Sequence, residues 1–365
     1  MYASIERKPR RPRVPAPMAK GKKMAERTFG WGLIGAGVIA PSHARAVQAN
    51  APRTRLVGVC DVIPEKAAKL KEEFGAEFST GSMAELLARP DIDCVSICTP
   101  SGEHGDCTIA AARAGKHVLC EKPLDITRAK MDEVLATVKA CGVQLGCVFQ
   151  SRTSPVNRKL KKMIADGEFG RVLFADMSGK DYRSPDYYKT ADWRGTIRYD
   201  RGALMNQGIH SLDLYLWLVG QPVVEVAGFW DHLVRDIEAE DTIVGSLRFA
   251  NGALGNILYA TSSSRERLPR NIGIHCTEGN VILAGRQPSV ERRGEELHLD
   301  GPTEVGAAWL AAPQGHTQHV RDLTDAIEQN RPPEITGESA RTAVDVALAL
   351  YQASDTRSVV RLPGA

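Results

Sequence analysis

The sequence has no apolar run that approaches the about 18 residues needed for a membrane-spanning helix, so we expect no membrane partner. The Arg10-Arg11 pair near the start is not followed by an apolar stretch before the folded part begins near Phe29, which argues against an export signal. Eight cysteines are spread over the chain, but none has the spacing of metal ligands. Buried thiols and the missing signal predict a cytoplasmic protein without a metal site.

The sequence also lacks an excess of basic charge outside its first residues. The formal net charge is +3, but residues 1–27 hold nine Lys or Arg and two Glu, a charge of +7 that leaves −4 for the rest. An acidic body offers no face for phosphates, so we expect no nucleic-acid partner. The Pro-rich basic leader over residues 1–27 is predicted to be disordered, with Met18 or Met24 as alternative starts.

A chain of 365 residues exceeds what one hydrophobic core usually fills, so two domains are expected. Over residues 28–150, short apolar strands alternate with helical patterns. The predicted strands are 30–36, 55–60, 77–78, 94–98, 117–120 and 144–149, and the predicted helices are 38–50, 64–74, 82–88, 105–114 and 127–140. Such alternation requires crossover connections, which predicts a mostly parallel sheet with helices on both faces.

The sequence pattern is different over residues 151–365, where β-rich stretches follow one another with turns rather than helices between them. Strands are predicted at 223–234, 241–249, 253–260, 271–276 and 280–283, with a hairpin turn at Asn251-Gly252. This predicts an α+β domain with an open, mostly antiparallel sheet that carries helices on one face. Helices are expected at 316–329 and 338–352, the latter near the domain junction. The uncovered sheet face predicts a homodimer or homotetramer packed sheet to sheet.

The strongest local signal is the G-x-G-x-x-A pattern of residues 35–40, placed between a predicted strand and a predicted helix. Gly35 and Gly37 let backbone N–H groups approach a pyrophosphate at the helix N-terminus, the arrangement of a Rossmann dinucleotide-binding domain. Asp61 ends the second strand, where a carboxylate binds the adenosine ribose hydroxyls. That carboxylate would repel a 2′-phosphate by about 4 kcal/mol, which favours NAD over NADP.

Two loops at the carboxyl ends of parallel strands supply further candidates, Thr99-Pro100-Ser101 and Glu121-Lys122-Pro123. Alcohol oxidation needs a group that accepts the hydroxyl proton, and a lysine with a pKa lowered by burial can do so. We therefore expect Lys122 to be catalytic. In the apolar stretch 202–217, a helix places Asn206, His210 and Asp213 on one face, where buried polar groups need partners such as a substrate hydroxyl.

Together these residues resemble the Gfo/Idh/MocA oxidoreductases over about residues 29 to 363. The resemblance is carried by Gly35-x-Gly37-x-x-Ala40, Thr99-Pro100-x-x-x-His104, Glu121-Lys122-Pro123, Trp193-Arg194-Gly195, the 206–210 helix and Pro333-x-x-Thr336-Gly337-Glu338. It implies that Lys122 and His210 contact the reacting hydroxyl of a sugar or polyol. Expected cofactor contacts are Gly35, Gly37, Val38, Ile39, Asp61, Thr99, Pro100, Ser101, His104, Glu121, Lys122, Gln150, Trp193 and Arg194. Expected substrate contacts are Asn206, Asp213, Arg152 and Tyr182.

Within that family, the runs at 183–188, 193–196, 204–207 and 235–242 are similar to bacterial nucleotide-sugar 3-dehydrogenases, which implies oxidation of a sugar C3 hydroxyl. Inositol dehydrogenases have Asp where this chain has Asn206, which favours a substrate other than inositol. Two alternatives stay open. One is a glycosidase that oxidises C3 transiently without net redox change, and the other is a non-catalytic dinucleotide sensor, against which Lys122 and His210 both argue.

Overall fold

A computed structural model describes residues 27–263, 268, 270–284, 287–299 and 313–362. These residues build two sheets, one of six strands and one of nine. The predicted disordered leader lies outside the described residues, except for Arg27 at its end. In the described part of the chain, no helix is long and apolar enough to span a membrane.

The first sheet is wholly parallel, with strand order β3-β2-β1-β4-β5-β6. Its strands are β1 (Phe29–Ile34), β2 (Thr54–Cys60), β3 (Phe78–Thr80), β4 (Cys94–Ile97), β5 (His117–Cys120) and β6 (Leu145–Cys147). Its helices are α1 (Ala40–Ala49), α2 (Pro64–Phe74), α3 (Met83–Ala88), α4 (His104–Arg113) and α5 (Arg128–Cys141). The order reverses between β1 and β4, where open sheets bind dinucleotides. The predicted Rossmann domain is confirmed.

The second sheet has the order β14-β13-β12-β11-β7-β10-β9-β8-β15. Its strands are β7 (Val172–Lys180), β8 (Val223–Asp231), β9 (Thr242–Phe249), β10 (Leu254–Ala260), β11 (Asn271–Cys276), β12 (Gly279–Ala284), β13 (Gln287–Arg292), β14 (Glu295–Glu296) and β15 (Val360–Arg361). All neighbours pair antiparallel except β7 and β10, which pair parallel. The mostly antiparallel sheet is therefore confirmed, with a central strand, β7, that sequence patterning missed.

The described residues after the first sheet include five α-helices. They are α6 (Pro155–Ala165), α7 (Pro185–Tyr188), α8 (Ile209–Val219), α9 (Pro313–Gln329) and α10 (Gly337–Thr356). Helix α10 packs on β8 and α8 and also contacts α5 and β6, so it lies at the junction of the two sheets. Helix α9 packs on α1, and its Val320 and Leu323 join the core of the first sheet. The C-terminal part of the chain thus completes the nucleotide-binding half.

One face of the second sheet carries no helix among the described residues, and it exposes apolar side chains that pair across neighbouring strands. Phe174 on β7 lies opposite Leu254 on β10, and Val244 on β9 lies opposite Phe229 on β8. These four side chains are 38–71% exposed, whereas Ala175, Met177, Ile257 and Leu247 on the other face are buried. Because side chains alternate along a strand, one side of the sheet forms the core and the other is left apolar and open. We call these four residues the outer face.

Candidate active site

The turn after β1 has the geometry that a nucleotide pyrophosphate needs. Gly35 has a φ of +94°, and a Cβ there would lie 2.6 Å from the Cys98 carbonyl oxygen, so only glycine fits. A Cβ on Gly37 would meet nothing within 4 Å, so the surface above it is open. Val38 is 90% exposed at the start of the following turn, which leaves an apolar patch beside the glycines. These residues fit a dinucleotide.

Asp61 stands at the end of β2 with both carboxylate oxygens directed by backbone donors. Its Oδ2 accepts from the Ala36 N–H at 2.7 Å, and its Oδ1 accepts from the Ile63 N–H at 2.8 Å. The carboxylate therefore links the glycine turn to the β2 loop and still has free lone pairs. This is the placement predicted for a group that binds ribose hydroxyls.

His104 lies beneath the two loops at the carboxyl ends of β4 and β5. It is 1% exposed, its Nδ1 lies 2.6 Å from the Pro123 carbonyl oxygen, and its Nε2 lies 2.9 Å from the Thr99 carbonyl oxygen. Ser101 is also buried. His104 therefore ties the Thr99-Pro100-Ser101 loop to the Glu121-Lys122-Pro123 loop, so its contribution to a cofactor site is to position these loops.

Lys122 connects the two halves of the molecule. Its Nζ donates to the Asn206 carbonyl oxygen at 3.0 Å, a contact between the β5 loop and the segment before α8. Burial lowers the pKa of the Lys122 amine, while the negative charges of Glu121 and Asp200 act in the opposite direction. A buried amine with a lowered pKa is suited to accept a proton.

His210 lies on the first turn of α8 and is 9% exposed. Burial, followed by the positive charge of Lys122, lowers its pKa well below the ordinary value, so the ring is neutral at physiological pH. Its edge meets Phe149 at a centroid distance of 6.1 Å, and its Nδ1 has no hydrogen-bond partner among the described residues. Because the Lys122 charge acts on this ring, the Lys122 amine and a neutral imidazole belong to one polar site.

The helix that precedes α8 differs from the predicted one, because residues Leu204–Gly208 form a π-helix. A π-turn is wider than an α-turn, so the expected i, i+4 face is not kept across it. The Asn206 amide donates to Asp200, whereas Asp213 forms a buried ion pair with Arg152, with Nε to Oδ2 at 2.8 Å. Asp213 and Arg152, both predicted to bind substrate, are thus buried and paired with each other.

The remaining predicted contacts fall in two places. In the second domain, Arg194 stacks on Tyr187 at 4.3 Å and on Trp193 at 4.4 Å, and Arg235 separately stacks on Tyr182 at 5.3 Å. Gln150 is buried on the other side, where its side-chain nitrogen lies 3.2 Å from His316 Nε2.

Two groups near the site, Asp200 and Arg270, were missed by sequence reasoning. Asp200 is buried and also accepts from the Gly195 N–H at 2.7 Å. Arg270, 9% exposed, donates to Asp181 at 2.5 Å, and its charge acts on both Lys122 and His210. Asp200 follows the Trp193-Arg194-Gly195 motif closely enough to have been a candidate. Arg270 has no local signal, because only sheet pairing brings β11 next to β7.

Comparison with protein families agrees with the division into a dinucleotide-binding domain and a second domain. Residues 29–149 match the model of the oxidoreductase family with an NAD-binding Rossmann fold, and residues 157–282 match the GFO/IDH/MocA C-terminal domain. The chain belongs to the GFO/IDH/MocA oxidoreductase family. This membership confirms the predicted family, the NAD cofactor and the oxidoreductase activity.

Several members of this family are similar over most of their length. The chain is 32% identical over 270 residues to inositol 2-dehydrogenase of Rhizobium meliloti, covering 72% of this chain and 77% of that protein. It is 31% identical over 295 residues to levoglucosan dehydrogenase of Pseudarthrobacter phenanthrenivorans, covering 72% and 74%. The WlbA dehydrogenase of Bordetella pertussis, solved with NADH and UDP-GlcNAcA, superposes with a TM-score of 0.86 at 30% identity, covering 94% of this chain and 100% of that chain.

Proposed function

We propose that this family member oxidises a secondary ring hydroxyl, at C3, of a sugar or nucleotide sugar. The observation that carries the proposal is the Lys122 contact with the Asn206 carbonyl oxygen, together with the neutral His210 ring on which the Lys122 charge acts. One polar group thus comes from each domain, and both border the carboxyl edge of the first sheet. NAD, held by the Gly35–Gly37 turn and Asp61, supplies the hydride acceptor when bound.

The proton step follows from the state of these two groups. As the C–H bond gives up its hydride, the hydroxyl oxygen becomes a carbonyl oxygen and must lose its proton. The Lys122 amine, with its lowered pKa, takes that proton, and the neutral His210 ring hydrogen-bonds to the same oxygen. The products are a keto-sugar, a reduced cofactor and one proton.

Arginines around the second-domain side of the site support an anionic substrate. Arg270 Nη1, Arg183 Nε and Arg235 Nε are buried and have no hydrogen-bond partner among the described residues. A buried guanidinium N–H without a partner costs free energy, which a phosphate or carboxylate of the substrate would recover. A nucleotide sugar such as the UDP-GlcNAcA bound by WlbA carries both groups, and this favours it over a neutral polyol.

The experiment is a substrate panel of UDP-GlcNAcA, levoglucosan and myo-inositol with NAD, followed by NADH absorbance. UDP-GlcNAcA with deuterium at C3 should transfer the label to the nicotinamide, and Lys122→Met should abolish the transfer. Label transfer from another carbon would contradict C3 oxidation. NAD recycling with sugar cleavage and no net NADH would favour the glycosidase alternative instead.

We further propose that the protein works in the cytoplasm as a homodimer or homotetramer. All eight cysteines are free thiols and seven of them are buried, as suits a reducing compartment. The outer face exposes two cross-strand apolar pairs, Phe174 with Leu254 and Phe229 with Val244, and a second copy placed sheet to sheet would cover this surface.

A further inference from the structure

A buried carboxylate next to Lys122 is held by two histidines from distant parts of the chain. Glu121 Oε1 lies 2.9 Å from His43 Nε2 on α1 and 3.1 Å from His316 Nε2 on α9. All three side chains are at most 6% exposed. The end of β5, α1 and α9 thus meet at one oxygen atom, directly before the lysine assigned to proton transfer.

The contacts determine which ring nitrogens carry protons. A carboxylate oxygen only accepts, so both Nε2 atoms donate to Glu121 Oε1. A protonated His316 Nε2 cannot also accept from the Gln150 amide beside it, so that amide is assigned with its oxygen towards the ring. The Nδ1 atoms of His43 and His316 are then bare acceptors, and neither has a hydrogen-bond partner among the described residues. Burial by itself would raise the pKa of Glu121, but the hydrogen bonds from His316 and His43 outweigh it and hold that pKa well below its ordinary value.

The same three atoms lie within 4.8 Å of one another, as metal ligands would. Metal-bound histidines, however, almost always donate their second ring N–H to a carboxylate, carbonyl or water. Here a metal would leave two buried Nδ1–H donors without partners in the described part of the chain. Two neutral rings donating to an ionised carboxylate leave only bare acceptors, so the hydrogen-bonded cluster is the better account.

We propose that His43 and His316 are positioning residues that keep Glu121 ionised and oriented, and that this buried negative charge governs the protonation of Lys122. The other charged or titratable groups that act on Lys122 are Asp200, Cys147, Arg270 and His210. Glu121 comes first among the groups that favour the charged amine. Helix α9, which supplies His316 from 195 residues further along the chain, therefore contributes to the chemistry at the end of β5.

The test measures the pH dependence of Lys122 acetylation by trace acetic anhydride, read by mass spectrometry of the peptide that contains it. Glu121→Gln removes the charge but keeps the shape of the side chain. The midpoint of the pH dependence of Lys122 acetylation should then fall by about one pH unit or more. His316→Leu should lower the midpoint in the same direction. His316→Gln, which keeps an amide donor, should restore the wild-type midpoint. His319→Leu is the matched control, since His319 is buried one turn along the same helix without a hydrogen bond to Glu121.

An unchanged midpoint in Glu121→Gln, or an equal shift in His319→Leu and His316→Leu, would overturn the proposal. If His316→Leu does not fold, His316→Asn, whose amide is too short to reach Glu121, replaces it. A rise in melting temperature with added Zn²⁺ that is lost in His316→Gln would also overturn it, because the cluster would then be a metal site. The proposal rests on the role assigned to Lys122, but this measurement needs no sugar, so its failure is distinct from failure of the proposed function.

Discussion

At the residue scale, Asp61 fixes the glycine turn through Ala36, and we expect the same carboxylate to bind the ribose of the nucleotide. We predict that Asp61→Ala weakens NADH binding by roughly tenfold or more, from loss of hydrogen bonds to ionised oxygens. Asp61→Asn keeps an oxygen for the Ala36 N–H and removes only the charge, so it should bind NADPH better than the wild type does. Fluorescence titration with NADH and NADPH measures the affinity of each variant for the two cofactors. An unchanged preference in Asp61→Asn would remove Asp61 from the ribose site.

Glu240 is a buried carboxyl that supports the π-helix, with Oε1 accepting from the Leu204 N–H at 2.7 Å and the Tyr351 hydroxyl at 3.0 Å. Burial raises its pKa from 4.5 to about 8. The unfolded chain therefore releases this proton at lower pH than the folded protein, and stability falls as pH rises from about 4.5 to about 8.

Glu240→Gln keeps a neutral hydrogen-bond acceptor and should remove the fall in stability that accompanies rising pH. We predict that its melting temperature relative to the wild type increases steadily from about pH 5 to about pH 8, by several degrees in all. Glu296→Gln, at an exposed site on β14, is the control and should show no such trend. Parallel melting curves for Glu240→Gln and the wild type at every pH would show that Glu240 is ionised in the folded state.

At the scale of elements, local sequence signals predicted several helices and strands of both sheets well. Helix α2 and strands β5 and β11 have the predicted bounds, because apolar periodicity and proline or glycine punctuation mark them. Strand β7 was missed because its central position depends on pairing with β10 and β11, which are distant in sequence. The π-helix was missed for a related reason, since Asp200 and Glu240 hold it from outside the helix.

Helix α9 was predicted but its partner was not, because packing on α1 joins residues far apart in the sequence. We predict that Leu323→Ala, a fully buried change in α9, lowers the free energy of unfolding by about 2–5 kcal/mol. Gln329→Ala, at an exposed position of the same helix, should change it by less than about 0.5 kcal/mol. Urea unfolding of the wild type and both variants measures these changes in the free energy of unfolding. Equal effects of the two variants would mean that α9 is not part of the first core.

On the scale of the whole molecule, the outer face predicts how copies associate. Phe174→Glu places a charge on this face and should convert the proposed oligomer to a monomer with an unchanged far-UV spectrum. Light scattering after size exclusion measures the mass. Val359→Glu, at another exposed apolar residue, is the control and should keep the wild-type mass. A Phe174→Glu protein of wild-type mass would place the interface elsewhere.

The central claim is that the site exists only where the two domains meet, with Lys122 from one and His210 from the other. The most direct test compares steady-state turnover of Lys122→Met, His210→Asn and the double variant on the substrate found in the panel. Each single variant should lose about 100-fold to 10,000-fold in turnover while NADH binding is unchanged. The double variant should lose less than the product of the two, since both groups serve one proton transfer. Near-normal turnover in either single variant would contradict the account.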